Sequence, residues 1–206
     1  MIARLRQGLR ALFAWARPVD MALAASILSP SLRVLFRRMR RSEQQHSLNV
    51  LRTLRGWGYD DPSLLTAALL HDVGKSRYPF YLWDRTIVVL VKAAAPKLAK
   101  RLGHGKPTGL RRPFAISFQH PQWSAEMVAA AGADPLAVAL IEAHQRPPTP
   151  NPSPVKREGL PETNFSLSLR LRGGKGGDRG VEATTDTSQS DFDLLLTALQ
   201  AADDAN

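Results

Sequence analysis

DPSLLTAALLHDVGK, residues 61–75, is the stretch whose reading decides the fold. Asp61 offers an N-cap carboxylate, and Pro62 sits where a missing N–H costs nothing. The chain then runs almost wholly apolar until His71-Asp72, and Gly74 closes it, so a helix is expected over 64–73. Upstream, Glu43 to Arg55 carries Leu48, Leu51 and Leu54 on one helical stripe, ended by Gly56 and Gly58. Downstream, a helix is expected over Arg85–Lys100, with Pro96 perturbing its later part. A Gly- and Arg-rich connection, 103–113, leads to a helix that opens at His120-Pro121 and stops at Gly132. Asp134-Pro135 caps another, running to about Gln145, and Ser190 with Asp193 reads as a capping box before Leu194–Ala202. Strand signals are scarce throughout. The expected class is all-α.

Two flanking compositions bound this bundle. Residues 1–42 carry nine Arg against one acid, Asp20, and form a basic amphipathic helical N-terminal segment. Such a stretch either attracts phosphates on anionic lipid, nucleic acid or nucleotide, or is simply a solvated helix face. A second basic run, Lys92 to Arg112, contains no acidic residue. Between the last two helices, residues 147–161 hold six prolines and 173–180 five glycines. That composition buries too little apolar area to offset chain entropy, so about 146–189 is expected to be a disordered insertion in a domain spanning 43–206. Closure entropy grows only logarithmically with loop length, so such an insertion is tolerable. No apolar run approaches the length of a bilayer span, and the basic start lacks a signal-peptide core. A cytoplasmic protein, with peripheral membrane contact left open, is the expectation.

Cysteine is absent, which excludes disulfides, thiolate metal sites and a cysteine nucleophile. Any metal must therefore be held by His, Asp or Glu. Of five histidines, four lie on or at the ends of expected apolar helices. A lone helical histidine is usually a hydrogen-bonded core residue; four, with an adjacent His71-Asp72 pair, are a different matter. An ionised Asp72 at the end of an apolar helix is costly to bury without a cation beside it, and neutral imidazoles suit a divalent ion. His46 and Asp203 can converge on the same centre, because helix bundles build metal sites from inward-facing residues. His120 and His144 would lie side by side if their helices are antiparallel neighbours.

The ordered set QQH at 44–46, LLHDVGK at 69–75, QHP at 119–121, EAHQ at 142–145 and AADD at 201–204 resembles the HD phosphohydrolase superfamily. The resemblance covers about 43–145 and 190–206, and it implies an HD-like helical bundle. By that likeness a first metal takes His46, His71, Asp72 and Asp203, and a second takes Asp72 as bridge with His120 and His144. Asp204 adjoins Asp203 and could replace it. Lys75 matches a lysine expected near the substrate phosphate. The signatures of cyclic di-GMP phosphodiesterases and of guanosine-tetraphosphate hydrolases are missing, and Gln145 stands where many dinuclear members have a further His.

The resemblance implies one or two divalent ions (Mn, Fe, Co, Ni or Zn) and hydrolysis of a phosphomonoester or phosphodiester by metal-activated water. The substrate would be a phosphorylated small molecule, by preference a nucleotide. The competing reading is an HD-fold sensor with little turnover that binds nucleotides or nucleic acid through its basic segments. Arg85, Arg111 and Arg112 are candidate phosphate clamps, or else solvated. His104, between glycines, is expected in a loop. Trp57, Trp83, Trp123 and Phe118 are expected in the core or pocket wall rather than as base-stacking platforms.

Overall fold

The computed structural model describes residues 18–79, 81–146 and 182–206. Among them are nine α-helices, two short 3-10 turns and no strand, so the chain is all-α. The helices are α1 (Met21–Ala25), α2 (Pro30–Arg38), α3 (Arg41–Gly56), α4 (Pro62–Leu70), α5 (Leu82–Ala94), α6 (Pro96–Gly103), α7 (Arg112–Ala130), α8 (Pro135–Ala143) and α9 (Glu182–Asp204). The 3-10 turns are Val73–Arg77 and Gly109–Arg111.

α4 is the axis of the molecule. Asp61 Oδ1 accepts the Leu64 N–H at 2.8 Å, satisfying one of the free donors at the helix start. Every residue from Leu64 to Leu70 is buried, and α2, α3, α8 and α9 pack around them. The core joins Leu32 and Phe36 of α2, Leu48, Leu51 and Leu54 of α3, Val128 of α7, Leu140 and Ile141 of α8, and Leu199 and Ala202 of α9. Each leucine so buried contributes roughly 1.5–3 kcal/mol. Asp134 caps α8 through the Leu136 N–H and also accepts from Ser63 Oγ, both at 2.9 Å, which fixes the start of α8 to that of α4.

Several expected boundaries are corrected. α4 ends at Leu70 rather than Val73, because Asp72 takes φ −99°, ψ 0° and turns the chain into a 3-10 coil. The expected helix over 85–100 is two helices. Ala95 leaves the α region (φ −144°, ψ 68°) ahead of Pro96, as a pre-proline residue is sterically pushed to do. α7 begins at Arg112, with Pro113 in its first turn, and continues through Pro121 instead of starting there. Pro121 forfeits one backbone hydrogen bond, but Phe114, Ala115 and Ile116 before it and Trp123, Ala125 and Val128 after it are buried and hold both halves.

α9 begins at Glu182, eight residues before the expected capping box. Ser190 and Asp193 therefore lie inside the helix, where Gln189 Nε2 donates to Asp193 Oδ1 at 3.1 Å. Of the insertion expected at 146–189, residues 147–181 lie outside the described residues, and 182–189 are helical. Residues 1–17 of the basic segment also lie outside them. The rest of that segment shares the core of the bundle through Ala24, Leu28, Leu32, Leu35, Phe36 and Met39. Trp123 is buried as expected, but Trp57 and Trp83 are exposed and line neither core nor site. No helix among the described residues is long and apolar enough to cross a membrane.

Candidate metal centre

α4 delivers His71 to its C-terminal edge, still in the αR region, and Asp72 follows in the sparsely populated bridge region. α3 contributes His46, α7 contributes His120 just before Pro121, and α8 ends on His144. α9 brings Asp203 in from the far end of the chain. The rings form a row, with centroids 5.5 Å apart for His46–His71, 5.2 Å for His71–His144 and 5.3 Å for His120–His144. His46 Nε2 lies 2.7 Å from Asp203 Oδ1, which is also 3.5 Å from His71 Nε2. Asp72 reaches both ends: Oδ2 is 3.7 Å from His71 Nε2 and Oδ1 is 3.2 Å from His120 Nε2. Two groups result, His46–His71–Asp72 and Asp72–His120–His144, each with one potential ligand atom per residue within 4.8 Å of the others.

The tautomers are fixed from behind. Nδ1 of His71 faces the Ala68 carbonyl at 3.0 Å, that of His120 the Ile116 carbonyl at 3.0 Å, and that of His144 the Ile141 carbonyl at 2.6 Å. A carbonyl only accepts, so each Nδ1 carries the hydrogen and each neutral ring aims a bare Nε2 lone pair into the cavity. These three Nε2 atoms are buried and have no hydrogen-bond partner. The 3.2 Å approach of His120 Nε2 to Asp72 Oδ1 is then a meeting of two acceptors rather than a hydrogen bond. Orphaned acceptors grouped around carboxylates fit a divalent cation, and the back-side carbonyls are the orienting partners that metal-binding histidines use. The all-N/O donor set is of the kind that holds Mn, Fe, Co, Ni or Zn.

Neighbouring groups tune the charge. Lys75 Nζ donates to Asp72 Oδ2 at 2.6 Å. Burial raises the Asp72 carboxyl, but Lys75, His71 and His120 outweigh it and hold its pKa well below the usual range. Burial likewise acts against Asp203, and the His46 and His71 contacts overcome it. His71 is shifted up, because Asp72 and Asp203 outweigh its desolvation. Burial lowers His120, and burial with the charges of His71 and His120 pushes His144 down to about 3.

These shifts set a pH response for the protein in chelator. Below about pH 6.5 the unfolded chain protonates His120 and His144 while the folded chain keeps them neutral. Stability is therefore lost as pH falls, by at most about 1.4 kcal/mol per pH unit for each ring. His71 works oppositely, its contribution being present below about pH 6.5 and lost as pH rises through its raised folded value. The aspartates hold their contribution until pH falls below about 3.9. The melting temperature is expected to fall between pH 6.5 and 5; a flat or rising Tm in scanning fluorimetry over that range would refute the assignment of neutral, desolvated rings.

The other expected residues are placed differently. Arg85 pairs with Glu43 at 3.1 Å, one turn before His46 on α3. Arg112 pairs with Asp84 at 3.4 Å, and Arg111 is exposed on the second 3-10 turn. His104 caps α6, exposed beside Phe118 and outside the cluster. Asp203, not Asp204, faces His46, and Asp204 is exposed. A surface groove of about 640 Å³ lined by Arg38, Ser76, Arg77, Glu126, Met127 and Ala130 contains none of the converging residues.

Three positioning contacts have no local sequence signal. Gln200 Nε2 donates to the carbonyls of His144 (3.1 Å) and Arg146 (2.9 Å), anchoring α9 at the corner where Asp203 arrives. The Gly74 N–H donates to Ser124 Oγ at 2.8 Å, binding the turn after Asp72 to the helix that carries His120. Gln44 Nε2, buried, donates to the Phe36 carbonyl at 2.8 Å and holds α3 on α2.

No curated protein and no solved structure matches the chain. A family model described as HD domain matches residues 44–172. That match takes in His46, His71, Asp72, His120 and His144 and stops short of Asp203, whose place rests on its 2.7 Å approach to His46. Because the match covers more than half of the sequence, the chain belongs to the HD domain family, a superfamily of metal-dependent phosphohydrolases.

Proposed function

We propose that the chain hydrolyses a phosphomonoester or phosphodiester of a nucleotide or related compound, with His46, His71, Asp72 and Asp203 holding one divalent ion and Asp72, His120 and His144 a second. The observation that carries this reading is the set of three buried, partnerless Nε2 atoms arranged around Asp72. Divalent ions at such a site supply an acidified water at neutral pH and offset charge on phosphoryl oxygens. Asp72 stays ionised in its buried position and can face both groups at once. Lys75 holds its ammonium beside Asp72, where it can move onto a phosphoryl oxygen. Arg85, tethered by Glu43 one turn from His46 and with a half-exposed side chain, is the proposed second contact to substrate phosphate.

The test is a metal assay joined to a substrate panel. Purified protein is expected to carry up to two equivalents of transition metal. With Mn²⁺ it is expected to turn over at least one class among cyclic dinucleotides, nucleoside monophosphates, deoxynucleoside triphosphates and a chromogenic phosphodiester. Stoichiometric metal without turnover of any class would favour the sensor reading; neither metal nor turnover would sink the enzyme reading.

A further inference from the structure

α5 turns an apolar face outward. Among its described side chains Asp84 and Val88 are buried, whereas Trp83 is 77% exposed, Leu90 63% exposed, and Ile87 exposed with them. At 100° per residue, Trp83, Ile87, Leu90 and Ala94 fall within roughly 60° of one another, so they share one exposed stripe, roughly 100° around the helix from Asp84 and Val88. Leu98 on α6 is also exposed, and Leu110 on the following 3-10 turn is 91% exposed. Monomeric soluble proteins rarely leave large apolar side chains such as Trp83, Ile87 and Leu90 side by side in water.

The exposed charge from α5 to the second 3-10 turn is positive, the acids paired there, Glu43 and Asp84, being buried against Arg85 and Arg112. From Arg85 to Ala125 there is no Asp or Glu at all. Lys97, Lys100, Arg101, Lys106 and Arg111 in that stretch are exposed. Its partner must therefore be both apolar and anionic. A second copy would bring the same positive charge, and residues 1–17 contain Arg4, Arg6, Arg10 and Arg17 with no acid, so neither complements it. Nucleic acid would meet a stripe in which Trp83 is the one ring and Ile87 and Leu90 are aliphatic, too little to stack successive bases. An amphipathic helix with tryptophan on its apolar side and lysine and arginine alongside is the arrangement that lies in a lipid interface.

We propose that α5 and α6 form a docking face for an anionic membrane surface. Trp83, Ile87 and Leu90 enter the boundary between headgroups and acyl chains, and Lys97, Lys100 and Arg101 meet lipid phosphates. The lysine and arginine stems cover apolar surface while their charged heads stay at headgroup level.

The test is co-sedimentation of the full chain with vesicles of mixed phosphatidylglycerol and phosphatidylcholine, against phosphatidylcholine alone. The wild-type protein is expected to bind the mixed vesicles, less so as salt rises, and to bind the neutral ones weakly. The double variant Trp83→Ser with Leu90→Asp is expected to bind roughly tenfold or more weakly. Its Tm should be unchanged, because both side chains are already in water. The proposal is overturned if wild type ignores anionic vesicles or the double variant binds them as tightly. It is also overturned if the wild-type chain is a dimer that the double variant dissociates, or if the variant loses affinity for double-stranded DNA rather than for vesicles.

Discussion

Asp72→Ala is expected to remove phosphohydrolase activity by on the order of 10³-fold or more and to empty the centre of metal, because Asp72 alone belongs to both ligand groups. Its two oxygens face opposite ways, Oδ1 to His120 and Oδ2 to His71 and Lys75. Alanine removes the negative charge from a pocket where His71 and Lys75 remain. A cation would then find one carboxylate, Asp203 on the His46–His71 side, and a Lys75 ammonium that has lost its partner. Asp72→Asn separates charge from shape: it keeps the volume and loses the anion, so it should fail as completely. Metal content by mass spectrometry and single-turnover rates check both variants. If either keeps two metal equivalents and wild-type rates, Asp72 is not the bridge.

Gly74→Ala is expected to give the largest loss of stability among single substitutions near the centre. The space for a Cβ at Gly74 is already taken by the backbone of α7: Ser124 N would lie 2.7 Å away, Ser124 Oγ 2.9 Å, and the His120 carbonyl closer still. Two of these three atoms are backbone, so no side-chain rotation relieves the clash. The turn must separate from α7, breaking the Gly74–Ser124 hydrogen bond and drawing His120 away from Asp72. Overpacking of this kind costs about 3 kcal/mol, which for a chain of this size is roughly 10 °C in Tm. Thermal melts and metal titration read the two consequences separately. A variant that melts within about 1 °C of wild type and binds metal normally would show that the close approach is not needed.

The sequence was most legible where local chemistry and tertiary placement agree. Asp61-Pro62 marks the start of α4 to the residue, and the cap it implies is present at 2.8 Å. His46, His71, Asp72, His120, His144 and Asp203 stood out as a set because four histidines and an adjacent His-Asp pair on or at the ends of expected helices need a reason to be there. Legibility failed where packing overrides a local signal. Pro121 reads as a helix start, yet buried residues on either side carry α7 through it. Ser190 and Asp193 have the spacing of a capping box, but α9 already runs from Glu182, so their side chains have no helix end to cap. The exposure of Trp83 has no sequence cue, since only the packing of α5 on α6 and α7 decides which of its faces meets water. Gly74 is plain as a helix terminator, but its contact with Ser124 spans 50 residues and cannot be read locally.

The contact between Lys75 and Asp72 bears on how the centre fills. Asp72 has a tethered ammonium already seated on one oxygen, so loading would be a swap of one positive group for another and not an addition to a bare anion. Lys75 would stay a competitor for that oxygen at any metal concentration, because it is part of the same chain. Once displaced, it would still sit three residues from Asp72, within reach of an arriving anion. Acquisition of metal and readiness for phosphate would thus be two ends of a single side-chain movement.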